Sequence, residues 1–255
     1  MDLFDTNTTF ERQLFAKAAR NCIPLYGVLE LLPLCNLNCD MCYVHLSKQE
    51  MQSQGRLRSL DEWISLAKQM KDAGTLFLLL TGGEPLLFPQ FKELYCALKD
   101  MGMILTLNTN GTLINEEWAE FFAKNKPRRI NITLYGSKNE TYENLCHMKD
   151  GFDKTIRGIE LLKKYKIDVK INGSLVKKNF HDRMEIIDIG EKYDIPVRID
   201  TYMYPSVRER TTPFNFQERL DPEDAAKARV EILHREMGDE LFEQYAKQTI
   251  YLAEH

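Results

Sequence analysis

The amino-acid sequence predicts an α/β protein with parallel strands, and three observations predict it. Short apolar runs alternate with longer amphipathic ones through the middle of the chain. The expected strand starts at Leu76, Ile104 and Arg129 lie 28 and 25 positions apart, the length of one strand–helix unit. Six such runs occur before residue 202, the count of a six-unit sheet.

The first strand is expected over residues 27–34. Ser59 then caps a helix, because Glu62 three positions on completes a capping box; Trp63, Ile64, Ala67 and Met70 follow with helical spacing. Gly74 stops it. Strand 76–81 leads to a helix over 90–101, ended by Gly102. Strand 104–108 leads to a helix over 115–124 capped by Asn115. Strand 129–134 precedes a helix over 152–165, strand 168–176 precedes a helix over 182–193, and 197–200 is the sixth strand. Asp221 caps a last helix over 222–237, with Pro222 in the favoured first position. Residues 1–26 read as a helical extension and 27–202 as the α/β unit. Residues 203–255 read as a loop holding Pro205 and Pro213, then C-terminal helices. Periodicity alone does not separate an open sheet from a barrel, and six units fall short of the eight in a closed one.

Composition narrows the function. The chain of 255 residues is 44% hydrophobic and 28% charged, ordinary values for a globular enzyme. Its 34 basic and 38 acidic side chains give a net charge of -4, which points away from a nucleic-acid partner. Lys163, Lys164 and Lys166 sit near an expected helix end as solvated surface. No basic start followed by an apolar core marks a signal peptide, and no apolar run reaches the roughly 18 residues of a membrane span. A cytoplasmic protein with no membrane partner is expected. The cysteines are Cys22, Cys35, Cys39, Cys42, Cys96 and Cys146; three fall within eight positions, which favours metal binding over disulfides. Cys22, Cys96 and Cys146 are expected as buried core thiols.

The segment from Cys35 to Tyr43 spaces its cysteines C-x3-C-x2-C where the first strand ends. In α/β folds that end of the strand opens on the active-site face. Three thiolates in a short loop suit an iron–sulfur cluster and leave one iron open to a ligand. Zinc remains the alternative metal, with His45 as a fourth ligand, and so do unliganded cysteines. The other strand ends are polar. Thr81-Gly82-Gly83-Glu84-Pro85 places two glycines where backbone can approach a ligand, or forms an ordinary tight turn. Asn110 follows the third strand in an Asn-Gly pair, Thr133 and Tyr135 end the fourth, and Asn172 and Ser174 alternate with apolar neighbours on the fifth. Arg198 and Asp200 share one face of the sixth, where they meet a ligand's carboxylate and donor or pair with each other.

Together, Cys35-x3-Cys39-x2-Cys42, Gly82-Gly83-Glu84-Pro85, Thr109-Asn110-Gly111 and Leu134-Tyr135-Gly136 resemble the radical S-adenosylmethionine superfamily over about residues 27–202. The resemblance implies a partial (β/α)6 TIM-like barrel carrying a [4Fe–4S] cluster on Cys35, Cys39 and Cys42. It implies that S-adenosylmethionine chelates the fourth iron, its amino group meeting Gly82, Gly83 and Glu84 and its adenine lying near Tyr43. Asn110, Thr133, Ser174 and Arg198 are the further cofactor-binding candidates, and Tyr135 and Asp200 the catalytic ones. Reductive cleavage to a 5′-deoxyadenosyl radical, with a flavodoxin or ferredoxin as electron donor, is the implied chemistry. Within the superfamily the chain is similar to SPASM/twitch-type members, which carry a cysteine-rich C-terminal domain and of which many modify ribosomally made peptides. The chain has no cysteine after Cys146, and Phe242 to Lys247 resembles the run-in to such a domain, so that domain is expected to be missing. A peptide substrate is expected, with thioether or carbon–carbon crosslinking or epimerisation as the reaction. A tetrapyrrole precursor or small metabolite is the alternative substrate. A non-catalytic iron–sulfur or zinc protein is the alternative of another class.

Overall fold

The computed structural model describes residues 9–203 and 218–254. Six strands form one parallel sheet: β1 (Tyr26–Glu30), β2 (Phe77–Thr81), β3 (Ile104–Thr109), β4 (Arg129–Thr133), β5 (Val169–Ser174) and β6 (Val197–Asp200). They lie side by side in chain order, and β1 does not pair with β6. The unreversed order decides what periodicity left open. Right-handed crossovers that always step the same way put every crossover helix on one face, so the sheet curls as a barrel does. The result is a partial (β/α)6 barrel.

Alternation along the strands makes its two faces different. Leu78, Leu80, Leu105, Leu107, Ile130, Ile132 and Ile171 are buried against the helices. Thr106, Asn108, Asn131, Thr133, Lys170, Asn172 and Ser174 alternate with them and form a half-buried polar inner face. The crossover helices are α3 (Leu60–Asp72), α4 (Phe91–Asp100), α5 (Glu116–Lys124), α7 (Gly151–Lys164) and α8 (Arg183–Tyr193), with α1 (Thr9–Arg20) ahead of the sheet. The Ser59–Glu62 capping box and the Asn115 cap form as expected. Ala18 of α1 packs on Leu25 and Phe77, and Arg128 holds the helix through Glu11 at 3.0 Å.

The structure departs from the sequence reading in several places. Two helices were not anticipated: α2 (Lys48–Gln54), opened by a second capping box at Ser47 and Glu50, and α6 (Asn139–Cys146). The last helix, α9 (Pro222–Glu254), runs past residue 237 and breaks at Gly238, where φ is 72°. β1 ends at Glu30 rather than residue 34. Cys22 is exposed, not a core thiol, because it sits in the turn leaving α1 with φ 52°. Cys96 is half-buried, and Cys146 is buried as expected. Pro205 and Pro213 lie outside the described residues. No helix among the described residues is long and apolar enough to cross a membrane.

Under β2 and β3 the helical layer is aromatic. Phe122 is fully buried and stacks on Trp118 at 5.9 Å, with Phe91, Tyr95 and Phe121 edge-on around it. Phe122→Ala therefore removes a ring that its neighbours cannot replace. Urea unfolding of the variant is expected to show a loss of about 3–5 kcal/mol; a loss under about 1 kcal/mol would contradict this packing.

Candidate functional site

After β1 the chain keeps hydrogen-bonding to the end of β2. The Leu31 N–H donates to Thr81 O at 2.9 Å, Gly83 N–H to Leu32 O at 2.7 Å and Glu84 N–H to Leu34 O at 2.9 Å. Only glycine allows so close an approach. A Cβ on Gly83 would stand 2.2 Å from the Leu34 carbonyl oxygen, and one on Gly82, at φ +142°, 2.5 Å from that of Leu32. The turn and the start of the cysteine loop are thereby one unit.

The far side of that loop rests on the end of α6. Asn38 N–H donates to Cys146 O at 3.1 Å and Asp40 N–H to Leu145 O at 3.0 Å. The Asp40 carboxylate meets His147 Nε2 at 2.7 Å and the Lys178 ammonium. Burial pushes its pKa up, but those two hydrogen bonds prevail and hold it below the usual carboxylate range.

Cys35, Cys39 and Cys42 are half-buried and form no disulfide. Leu37 N–H reaches Cys35 Sγ at 3.4 Å, Asn110 Nδ2 reaches it at 3.7 Å, and His45 N–H reaches Cys42 Sγ at 3.2 Å. The Cys39 thiol lies beside the Cys146 thiol and the Tyr135 hydroxyl. Burial pushes the Cys35 thiol up to about 12; the Leu37 N–H opposes this, while Glu84, Cys39 and Cys42 add to it. Cys39 is raised too, first through Cys146 and then by burial. Such thiols keep their protons until a cation replaces them. Among the described residues no three His, Cys, Asp or Glu side chains converge as ligands of one ion would. A cubane cluster asks for something else, since its ligands bind different irons and stand apart. Three thiols on one short loop, two with N–H donors aimed at sulfur, fit a [4Fe–4S] cluster.

Glu84 fixes the neighbouring strand ends. Its carboxylate is fully buried and accepts from Thr109 Oγ1 at 2.9 Å, Asn110 N–H at 2.9 Å and Leu86 N–H at 3.1 Å. Asn110 in turn donates from Nδ2 to Asn36 Oδ1 at 2.9 Å, and Asn36 Nδ2 donates to Thr112 Oγ1 at 2.8 Å. Glu84 thus orients the loops, and the Asn110 amide is engaged with the cysteine loop.

The remaining candidates are spread along the same end of the sheet. Tyr43 is exposed on the loop. Tyr135 follows β4 with its hydroxyl at Cys39 and its ring edge-on to Tyr142 at 5.9 Å. Thr133 and Ser174 are half-buried on the inner face, one at the end of β4 and the other at the end of β5. Arg198 and Asp200 pair with each other at 3.2 Å, the second of the two arrangements their spacing allowed. His45 touches Cys42 through its backbone N–H. Sequence reasoning missed Asn36, Thr112, Asn179 and the position of Cys146. Asn179 is buried and donates from Nδ2 to Tyr135 O at 2.8 Å and Ser174 O at 3.0 Å, tying β4 to β5. Asn36 lies inside the cysteine motif and was open to notice; the others act across long sequence separations.

Burial raises Glu84 to about 7, although its three hydrogen bonds pull it down. A carboxyl raised in the folded state contributes stability below its unfolded value, near 4.5, and loses it as the pH rises through about 7. The metal-free wild type should therefore lose stability between pH 4.5 and 7, by an amount on the order of 3 kcal/mol. Glu84→Gln should flatten that slope; denaturant midpoints measured across the interval check it, and an unchanged slope would exclude Glu84 as its source.

Comparison with known proteins agrees with this geometry. The sequence matches the Radical SAM superfamily over residues 29–190. It is 30% identical over 163 residues to the AdoMet-dependent heme synthase of Methanosarcina barkeri, covering 64% of this chain and 46% of that protein. It is 29% identical over 175 residues to the antilisterial bacteriocin subtilosin biosynthesis protein AlbA of Bacillus subtilis, covering 67% and 38%. The chain thus spans less than half the length of these curated relatives. Its fold is similar to that of Streptococcus suis SuiB bound to precursor peptide SuiA, with a TM-score of 0.68 and 21% identity over 96% of this chain and 57% of that one. With 162 of its 255 residues matched to the family, the strand order of a partial barrel and the cysteine loop set against the Gly-Gly-Glu turn, the chain belongs to the Radical SAM superfamily.

Proposed function

We propose that this chain reductively cleaves S-adenosylmethionine and uses the radical to abstract hydrogen from a substrate. The observation that carries the reading is the joining of two strand ends: the cysteine loop and the Gly82–Glu84 turn share backbone hydrogen bonds. When bound, a [4Fe–4S] cluster supplies the electron that splits the cofactor into methionine and a 5′-deoxyadenosyl radical. Cys35, Cys39 and Cys42 are its proposed ligands. Gly82, Gly83 and Glu84 would receive the cofactor's amino group, Tyr43 would cover the adenine, and Thr133 and Ser174 are the polar groups available to the ribose and carboxylate, whereas Asn110 is engaged with Asn36 and Arg198 with Asp200. Tyr135, held at Cys39, and Asp200 are the candidates to meet the substrate. A flavodoxin or ferredoxin would deliver the electron.

The proposed substrate is a ribosomally made peptide, crosslinked or epimerised. The similarity to a bacteriocin biosynthesis protein and to an enzyme seen with its precursor peptide supports this. A tetrapyrrole is the second reading, favoured by the 30% identity to a heme synthase and to an Fe-coproporphyrin III synthase, both of Methanosarcina barkeri.

Anaerobic reconstitution with iron and sulfide, then dithionite and S-adenosylmethionine, should yield 5′-deoxyadenosine and acid-labile sulfide. Cys39→Ala should lower nucleoside formation by at least about a hundredfold, since a cluster short of one thiolate is not held. Cleavage at the wild-type rate in that variant would refute the ligand assignment. Mass spectrometry of candidate substrates separates crosslinking, which removes two hydrogen atoms, from mass-neutral epimerisation.

A further inference from the structure

The inner face of the sheet carries a charge arrangement that the cofactor chemistry leaves unused. Three cations stand on adjacent strands: Arg129 on β4, Lys170 on β5 and Arg198 on β6. The register makes them near neighbours. Lys170 lies opposite Asn131, two residues along from Arg129, while Arg198 lies opposite Asn172, two residues along from Lys170. Strand alternation puts all three on the face away from the helices, since Ile130, Val169, Ile171 and Ile199 between them are buried in the core.

Two of the three have acidic partners. Arg129 pairs with Asp168 at 2.9 Å, and Arg198 with Asp200 at 3.2 Å. Lys170, half-buried between them, makes no ion pair or hydrogen bond with another described residue. Burial lowers its pKa, repulsion from Arg198 and Arg129 lowers it further, and Asp200 only partly offsets this. A half-buried ammonium flanked by two guanidinium groups is an unfavourable arrangement on its own. An anion bound among them would relieve it; Asn131 Nδ2 already donates to Asn108 Oδ1 at 2.8 Å, and the Asn108 and Asn172 amides on the same face supply further donors.

We propose that Lys170, with Arg129 and Arg198, forms an anion subsite that holds a carboxylate of the substrate. The inference rests on the radical reading of the same barrel and names the class of substrate: an acid. Lys170 lies four residues before Ser174, so the subsite is about 13 Å below the strand ends where the cysteine loop sits. The substrate must therefore carry its carboxylate about that far from the reacting C–H bond. A peptide with an acidic side chain or free C-terminus meets the condition, and so does a tetrapyrrole with propionates; both present the same group to Lys170.

The test is equilibrium binding by the full chain, with two acidic probes and their neutral counterparts. One arm uses coproporphyrin III and its tetramethyl ester; the other uses a short glutamate-containing peptide and its glutamine version. At least one acid is expected to bind about tenfold or more tightly than its neutral counterpart, the scale of one charge-assisted hydrogen bond. Lys170→Gln should remove most of that preference, Lys170→Glu should reverse it, and Lys170→Arg should retain it. The arm that responds identifies the source of the carboxylate. Unfolding curves for the three variants establish that each is folded. Equal binding of acid by wild type and Lys170→Gln, or no acid preference in either arm, overturns the proposal. Binding needs no reduction of the cluster, so a wild type that binds acid but forms no 5′-deoxyadenosine would sink the radical reading and leave the subsite standing.

Discussion

The site depends on one buried carboxylate. Glu84 leaves β2 and accepts from both the side chain of Thr109 and the backbone of Asn110 at the end of β3. Neighbouring parallel strands are joined by their ladder, but the ladder stops where the loops begin. Glu84 carries the connection beyond it, and Asn110 hands it on through Asn36 to the cysteine loop. Burying an acid is unfavourable unless its lone pairs are used, and here three donors use them. Loops that move independently elsewhere are thus bound into one rim.

A second rim is built from the other side. Asn179 joins the ends of β4 and β5, and the buried Asp182 accepts from Ser137 N–H and Thr141 Oγ1. These contacts hold α6, whose last carbonyls cap the cysteine loop and whose Cys146 thiol meets Cys39. The loop is gripped at both ends, by the Gly-Gly turn and by α6.

Much of this was legible in the sequence where the signal is local. Strand and helix positions followed from periodicity, and the cysteine loop from spacing over eight positions. The Ser47–Glu50 box was as readable as Ser59–Glu62, yet α2 went unrecognised because it buries no residue and so lacks an apolar stripe. Register and long-range pairing were not legible. Cys146 lies more than a hundred positions from Cys39, and nothing in its neighbours announces the contact. The Arg198–Asp200 spacing allowed two arrangements, and only folded geometry chose between them. Cys22 was misplaced because a helix-exit turn exposes it whatever its preference.

Among the described residues the sheet stops at six strands and both its margins are unpaired, and unpaired margins invite neighbouring molecules to stack onto them. Both margins carry deterrents. Pro24 and Pro196 interrupt the backbone just before β1 and β6, and β6 is only four residues long. Charge stands on each, as Glu30 on the first and as Arg198 and Asp200 on the last. The open edge between β1 and β6 is thereby kept from becoming a template for self-association.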